Sequence, residues 1–167
     1  MVFRYLDLPK LNLIEFCNQH NNDIFKAGSI GEFKAFDIIT DNTLLEIQKI
    51  FFPYLKRIQN KRIFIWYQTM NPTFNNKIHT DPREYAISYI LNQGGNNVST
   101  NFYNDEKQLI ESHIIKNNSW HILNTKTLHS VSGIETKRTA ISISLIQKVK
   151  PEFMQWLREK SYESILL

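Results

Sequence analysis

The sequence predicts a mainly β domain with flanking helices. The architecture is an antiparallel sandwich or a double-stranded β-helix (jelly-roll) barrel, with N-terminal helices packed on one sheet. Three observations predict it. Helical apolar spacing is confined to residues 1–60 and to one stretch after residue 150. From Lys61 onward, β-branched and aromatic runs follow one another with a turn about every ten residues. No strand–helix–strand alternation occurs, so a doubly wound parallel sheet is not expected.

Val2 to Leu8 reads as a short strand. After Pro9, Leu11, Ile14, Glu15 and Asn18 follow helical spacing, and Leu11 to His20 reads as a first helix. Gly28 and Gly31 mark a loop before a strand over Glu32 to Thr40. Thr43 and Glu46 form a capping-box pattern for a second helix, whose apolar face is Leu44, Leu45, Ile47, Ile50 and Phe51. Pro53 interrupts it, which predicts a kink or two short helices before Asn60. Strands are expected at Arg62 to Gln68, Tyr85 to Leu91, Val98 to Tyr103, Leu109 to Ile115, Trp120 to Leu123 and Arg138 to Gln147. Asn71-Pro72, Asn75-Asn76, the run Asn92 to Asn97 and Asn104-Asp105 are the turn signals between them. Pro151 suits the first turn of a final helix reaching Lys160. The chain therefore reads as one domain, 1–167, with helical support over 1–60, a β core over 61–148 and a C-terminal helix over 151–167.

Composition narrows the function classes. A hydrophobic fraction of 42% and a charged fraction of 22% are ordinary for a globular chain, and 13% aromatic residues argue against disorder. No apolar run approaches the roughly 20 residues of a membrane helix. Met1 to Lys10 lacks a signal-peptide apolar stretch, and Cys17 has no second cysteine to pair with. An intracellular, cytoplasmic compartment is the expectation. The net charge of +4 is spread along the chain and is ordinary for solubility, so nucleic acid is not an expected partner.

The chemistry-bearing stretch is Ile78-His79-Thr80-Asp81-Pro82. The pair reads as the head of a strand-like segment, where residues i and i+2 share a face, so His79 and Asp81 can reach one ion. His129 lies far downstream in a strand-like segment, Thr127 to Val131, before a turn at Ser132-Gly133. Two histidines and one carboxylate make a facial triad that leaves positions open on a non-haem iron. Arg138, nine residues after His129, heads a strand of alternating small polar and apolar residues, where its planar fork could bind a carboxylate.

Four stretches carry a family resemblance: His79-Thr80-Asp81; Tyr89-Ile90-Leu91-Asn92 followed by Gly94-Gly95; His129-Ser130-Val131; and Arg138-Thr139-Ala140-Ile141-Ser142. Their order and spacing resemble the iron(II)- and 2-oxoglutarate-dependent oxygenases, in particular the prolyl-4-hydroxylase-like branch. The resemblance covers about Arg62 to Gln147. It implies a double-stranded β-helix with Fe(II) on His79, Asp81 and His129, and 2-oxoglutarate paired through Arg138. It further implies consumption of O2, decarboxylation of 2-oxoglutarate to succinate, and hydroxylation of a C–H bond, with ascorbate as an optional reductant. The implied substrate is peptidyl, with prolyl residues as the lean, or a small molecule. Family members often bind 2-oxoglutarate with a tyrosine near this strand, which makes Tyr67 a candidate. The other reading of Tyr67 is a core aromatic whose hydroxyl reaches water. Ile90 stands where some relatives carry a cosubstrate-binding tyrosine, and Asn96-Asn97-Val98-Ser99 separates Gly94-Gly95 from the next strand.

Two alternative readings fit the same residues. One is a nucleic-acid demethylase of the same superfamily, although that branch carries a further arginine and an asparagine that Lys137 to Ser142 lacks. The other is a non-enzymatic jelly-roll or cupin-like metal-binding module. His20, His113 and His121 read as ordinary polar or half-buried side chains, Cys17 as a helix-face hydrophobe, and Phe51-Phe52 and Trp156 as core.

Overall fold

The computed structural model describes residues 2–11, 29–30, 33–37, 47, 49–51, 63–73, 77–145 and 151–162. The strands, in chain order, are β1 (Phe3–Leu6), β2 (Ser29–Ile30), β3 (Phe33–Asp37), β4 (Ile63–Met70), β5 (Tyr85–Asn92), β6 (Ser99–Tyr103), β7 (Leu109–Ile114), β8 (Ser119–Asn124), β9 (Leu128–Ser132), β10 (Arg138–Leu145) and β11 (Ser161–Tyr162). A final helix spans Pro151–Glu159. Residues 47 and 49–51 are helical, as the second helix predicted. The expected first helix beyond Leu11, the stretch from Pro53 to Asn60 and Cys17 lie outside the described residues. No described helix is long and apolar enough to cross a membrane.

Two antiparallel sheets face each other. The larger has the order β11-β1-β8-β5-β10-β4-β3-β2, and the smaller the order β7-β6-β9. Together they form the core of a double-stranded β-helix. Apart from the stretch at His79, every strand expected from Lys61 onward is present within two residues of its expected ends, where described. Two short strands were not expected. β2 lies where Gly28 and Gly31 suggested only loop, and β11 pairs with β1 after the final helix.

Strand alternation splits the apolar residues into two layers. One face of the large sheet carries Tyr67, Ile87, Tyr89, Trp120, Ile122, Ile141 and Ile143. Against it pack Ile47 and Phe51 from the second helix and Phe153 and Leu157 from the final one. The spacing of Phe153 and Leu157 gives that helix one buried stripe. The opposite face looks into the barrel and carries Phe3, Tyr5, Ile90 and Ala140, which meet Phe102 and Ile115 from the smaller sheet and the segment after it. Burial on both faces explains why β5 reads as the near-continuous run Ala86 to Ile90 rather than as alternation. Tyr5 ties the sheets together: its hydroxyl donates to the Ile114 carbonyl at 3.1 Å and accepts from the Lys116 amide at 3.3 Å.

Candidate metal centre

The smaller sheet gains one more paired position at its edge. The amide of His79 donates to the carbonyl of His129 at 3.0 Å, and the amide of His129 returns the bond at 2.9 Å. This is an isolated antiparallel bridge, not the head of a regular strand as the sequence suggested. Pro82 follows too closely for a ladder to continue, because it has no amide to donate. One bridge suffices to set the two imidazoles side by side, with ring centroids 4.5 Å apart.

The backbone also selects which nitrogen each ring presents. Nδ1 of His79 lies 2.8 Å from the Lys77 carbonyl, and Nδ1 of His129 lies 2.9 Å from the Thr127 carbonyl. A carbonyl only accepts, so each Nδ1 donates and each Nε2 keeps its lone pair. A backbone carbonyl holding the far nitrogen is the usual support for a metal-ligating imidazole. Asp81 completes the group. The Arg83 guanidinium grips its Oδ2, through Nε at 2.8 Å and Nη2 at 2.6 Å. Its Oδ1 lies 3.6 Å from His79 Nε2. One ligand atom from each of His79, Asp81 and His129 lies within 4.8 Å of the others, so the three can hold one ion. The donor set, two imidazole nitrogens and one carboxylate oxygen, fits a divalent transition metal with open positions.

Electrostatics favour the ionised carboxylate. Burial opposes ionisation of Asp81, but the His79 imidazole and the Arg83 guanidinium outweigh it and hold the carboxyl down at about 2. Contact with Asp81 raises His79, and burial lowers His129. The loop between Asp81 and β5 is held from β8. The amide of Asp81 donates to the Thr125 carbonyl at 2.9 Å, the Thr125 amide donates to the Glu84 carbonyl at 3.0 Å, and the Thr125 hydroxyl donates to the Arg83 carbonyl at 2.7 Å. Lys126 Nζ adds bonds to the carbonyls of Asp81 and Pro82.

Arg138 stands apart from the triad, on the inward face of β10. It is only 5% exposed, and its Nη1 has no hydrogen-bond partner. Burial lowers its pKa to about 10, so it remains a cation at neutral pH. Gly94 helps to bury it. At φ +87° this residue adopts a conformation that suits glycine, and a Cβ there would meet the Thr136 carbonyl at 2.8 Å and Arg138 Cβ at 2.9 Å. The Gly94 carbonyl also accepts from the amides of Glu135 and Thr136, which fixes the entry into β10.

Tyr67 is not brought to this site. It lies opposite Ile141 in the β4–β10 register, three residues along from Arg138, so the two side chains leave the sheet on opposite faces. Tyr67 belongs to the helix-side core and cannot reach into the barrel beside Arg138. His121 goes the other way. Expected to be an ordinary half-buried residue, it is 1% exposed, faces into the barrel, and its Nδ1 is unpartnered. His113 is half-buried and pairs with Glu111 at 3.0 Å. Sequence reasoning missed Arg83, His121 and the Thr125 staple. The H-x-D-x-R spacing could have indicated Arg83, which shares the parity of His79 and Asp81.

No protein-family model and no curated protein matches the chain. Among solved structures, it is similar to a prolyl hydroxylase from Trichoplax adhaerens in complex with a hypoxia inducible factor peptide fragment. That similarity has a TM-score of 0.58 and 13% identity, covering 79% of this chain and 74% of that one. A prolyl-4-hydroxylase from Pseudomonas putida matches with a TM-score of 0.45 and 10% identity, over 84% of this chain and 78% of that one. A cupin superfamily protein from Desulfitobacterium hafniense matches with a TM-score of 0.42 and 12% identity, over 86% and 99%. At 13% identity, the likeness to the Trichoplax enzyme is one of fold.

Proposed function

We propose that the protein is an iron(II)- and 2-oxoglutarate-dependent oxygenase that hydroxylates a C–H bond. His79 Nε2, Asp81 Oδ1 and His129 Nε2 would hold the metal. Arg138 would take the distal carboxylate of 2-oxoglutarate. Iron(II) so held, with 2-oxoglutarate and O2, supplies oxidation of a C–H bond coupled to release of succinate and CO2. The chain's own contribution is placement. Arg83 leaves one Asp81 oxygen free, the Lys77 and Thr127 carbonyls fix the imidazoles, and the barrel shields Arg138 from water.

One observation carries the reading: a buried arginine without an acidic partner among the described residues, in a barrel whose rim bears the triad. Burying an unpaired cation costs several kcal/mol, and a carboxylate ligand would offset that cost. A metal-binding module with no cosubstrate would have no use for it. A peptidyl substrate is the preferred class, since the Trichoplax enzyme of like fold carries a peptide. Thermal melting with Mn(II) alone and with Mn(II) plus 2-oxoglutarate tests the reading, because a ligand specific to the native state raises the transition. Both additions are expected to stabilise the protein. With Fe(II) and O2, succinate should appear, and a peptide panel should show a mass gain of about 16 Da. A metal response with no added effect of 2-oxoglutarate would leave a metal-binding module instead.

A further inference from the structure

The interior holds more unpartnered polar atoms than Arg138 alone. Nδ1 of His121 and Oγ1 of Thr100 are also buried without hydrogen-bond partners among the described residues. All three residues face the space between the sheets. His121 lies opposite Tyr5 and Ser88, and Ser88 lies opposite Ser142, so these side chains form one inward row across β1, β8, β5 and β10. Arg138 is four residues before Ser142 on the same face. Thr100 projects from β6, two residues from Phe102, which lies in the interior cluster. Buried polar atoms normally find partners, so three orphans facing one compartment point to a polar ligand.

We propose that His121 is a second donor to the distal carboxylate of the cosubstrate, acting beside Arg138 through Nδ1–H. This deepens the oxygenase reading and rests on it. The charges are compatible. A divalent metal, the Asp81–Arg83 ion pair and the Arg138 guanidinium leave three positive charges against the two negative charges of a dicarboxylic 2-oxo acid. A further cation in the interior would widen that excess, whereas a neutral imidazole donates a hydrogen bond without adding charge. Burial depresses His121 to about 3, and the nearby Arg138 and His113 add to the effect, so the ring stays neutral at working pH. Phe3 stacks on the ring with centroids 5.5 Å apart, which limits its rotation.

The test is binding to the full chain loaded with Mn(II), without O2. Pyruvate shares the 2-oxo acid head of 2-oxoglutarate and lacks the distal carboxylate. Calorimetric titration of both acids into wild type, His121→Phe and His121→Asn separates the roles. His121→Phe should weaken 2-oxoglutarate about tenfold and leave pyruvate within about twofold. His121→Asn, which keeps an N–H near the place of Nδ1, should recover most of the loss. Equal weakening of both acids, or of neither, would reduce His121 to a packing residue. If wild type itself fails to distinguish the two acids, the carboxylate reading of Arg138 fails first, and this proposal with it. Should a variant not fold, the imidazole nitrogens of the wild-type, Zn(II)-loaded protein can be followed by NMR. 2-Oxoglutarate should shift the His121 Nδ1 resonance, pyruvate should not, and an unmoved resonance with both would overturn the proposal.

Discussion

The rim of the barrel and its interior treat polar groups in opposite ways. At the rim, His79, Asp81 and His129 are each held by the chain: two imidazoles by backbone carbonyls, one carboxylate by Arg83, and the loop between them by Thr125. In the interior, Arg138, His121 and Thr100 are buried with polar atoms left over. The rim is therefore preorganised, with the donor atoms of the proposed metal site already fixed. In the interior, the same proposal has a ligand satisfy the polar groups left over. On that reading metal binding should depend on local supports, and cosubstrate binding on groups that cost the ligand-free protein stability.

Breaking the two regions separately should give opposite signatures, and these are the largest effects expected. His79→Ala or Asp81→Ala should abolish the Mn(II) shift in melting temperature, because two remaining ligands hold an ion poorly. Arg138→Met should keep the Mn(II) shift and weaken 2-oxoglutarate about a hundredfold or more. It should also raise the melting temperature of the ligand-free protein, since an apolar side chain replaces a buried cation with no acidic partner among the described residues. A ligand-free Arg138→Met protein that melts well below wild type would contradict the view of the interior as a strained ligand site.

The rim was more legible in the sequence than the interior, for a physical reason. His79, Asp81 and His129 stood out because chelation would restrict residue type, and the fold does bring the three together; Arg138 stood out because its strand alternates. The strands of 61–145 were legible from β-branched runs. Parity shows which residues share a face, but not which face is covered by what. The run Ile63 to Tyr67 shows no polar–apolar alternation, so Tyr67 could equally have faced the barrel, and only its register with Ile141 shows that it meets the helices. His121 was illegible for a related reason. Lack of a partner is a property of the assembled interior, and no local spacing encodes it. The single bridge at His79 also left too little pattern to separate from a strand head.

Acid titration sharpens the contrast at intermediate size. His121 has its pKa depressed from 6.5 to about 3, so the unfolded chain takes up a proton that the folded one refuses. Stability from this group is complete above 6.5 and falls as pH drops toward about 3, by up to about 1.4 kcal/mol per pH unit. Asp81, depressed from 3.8 to about 2, loses its contribution only within that lower window. His79 is raised, so its contribution is full below 6.5 and does not steepen the acid limb. His121→Asn should therefore flatten the fall in urea midpoint between the neutral range and about pH 4. The same slope in His121→Asn as in wild type would mean that the ring is not buried neutral.

The smallest effect tests whether the rim is as locally supported as it looks. Thr125→Val keeps the volume and the two backbone bonds of this buried residue, and removes only the hydroxyl that donates to the Arg83 carbonyl. An unsatisfied carbonyl in that setting costs about 1–2 kcal/mol, so the urea midpoint should fall modestly with an unchanged slope. The Arg83 backbone is then free to drift, and its guanidinium is what holds Asp81 Oδ2 aside. A slacker Asp81 should weaken Mn(II) by a factor of a few to about ten, in the range of losses seen when supports of metal ligands are removed. 2-Oxoglutarate measured at saturating Mn(II) should be unaffected, because the Thr125 hydroxyl is bonded to the Arg83 carbonyl. Lower stability with unchanged Mn(II) affinity would show that the loop supports the fold without aiming Asp81. The preorganisation of the rim would then rest on the His79–His129 bridge and the Arg83 grip alone.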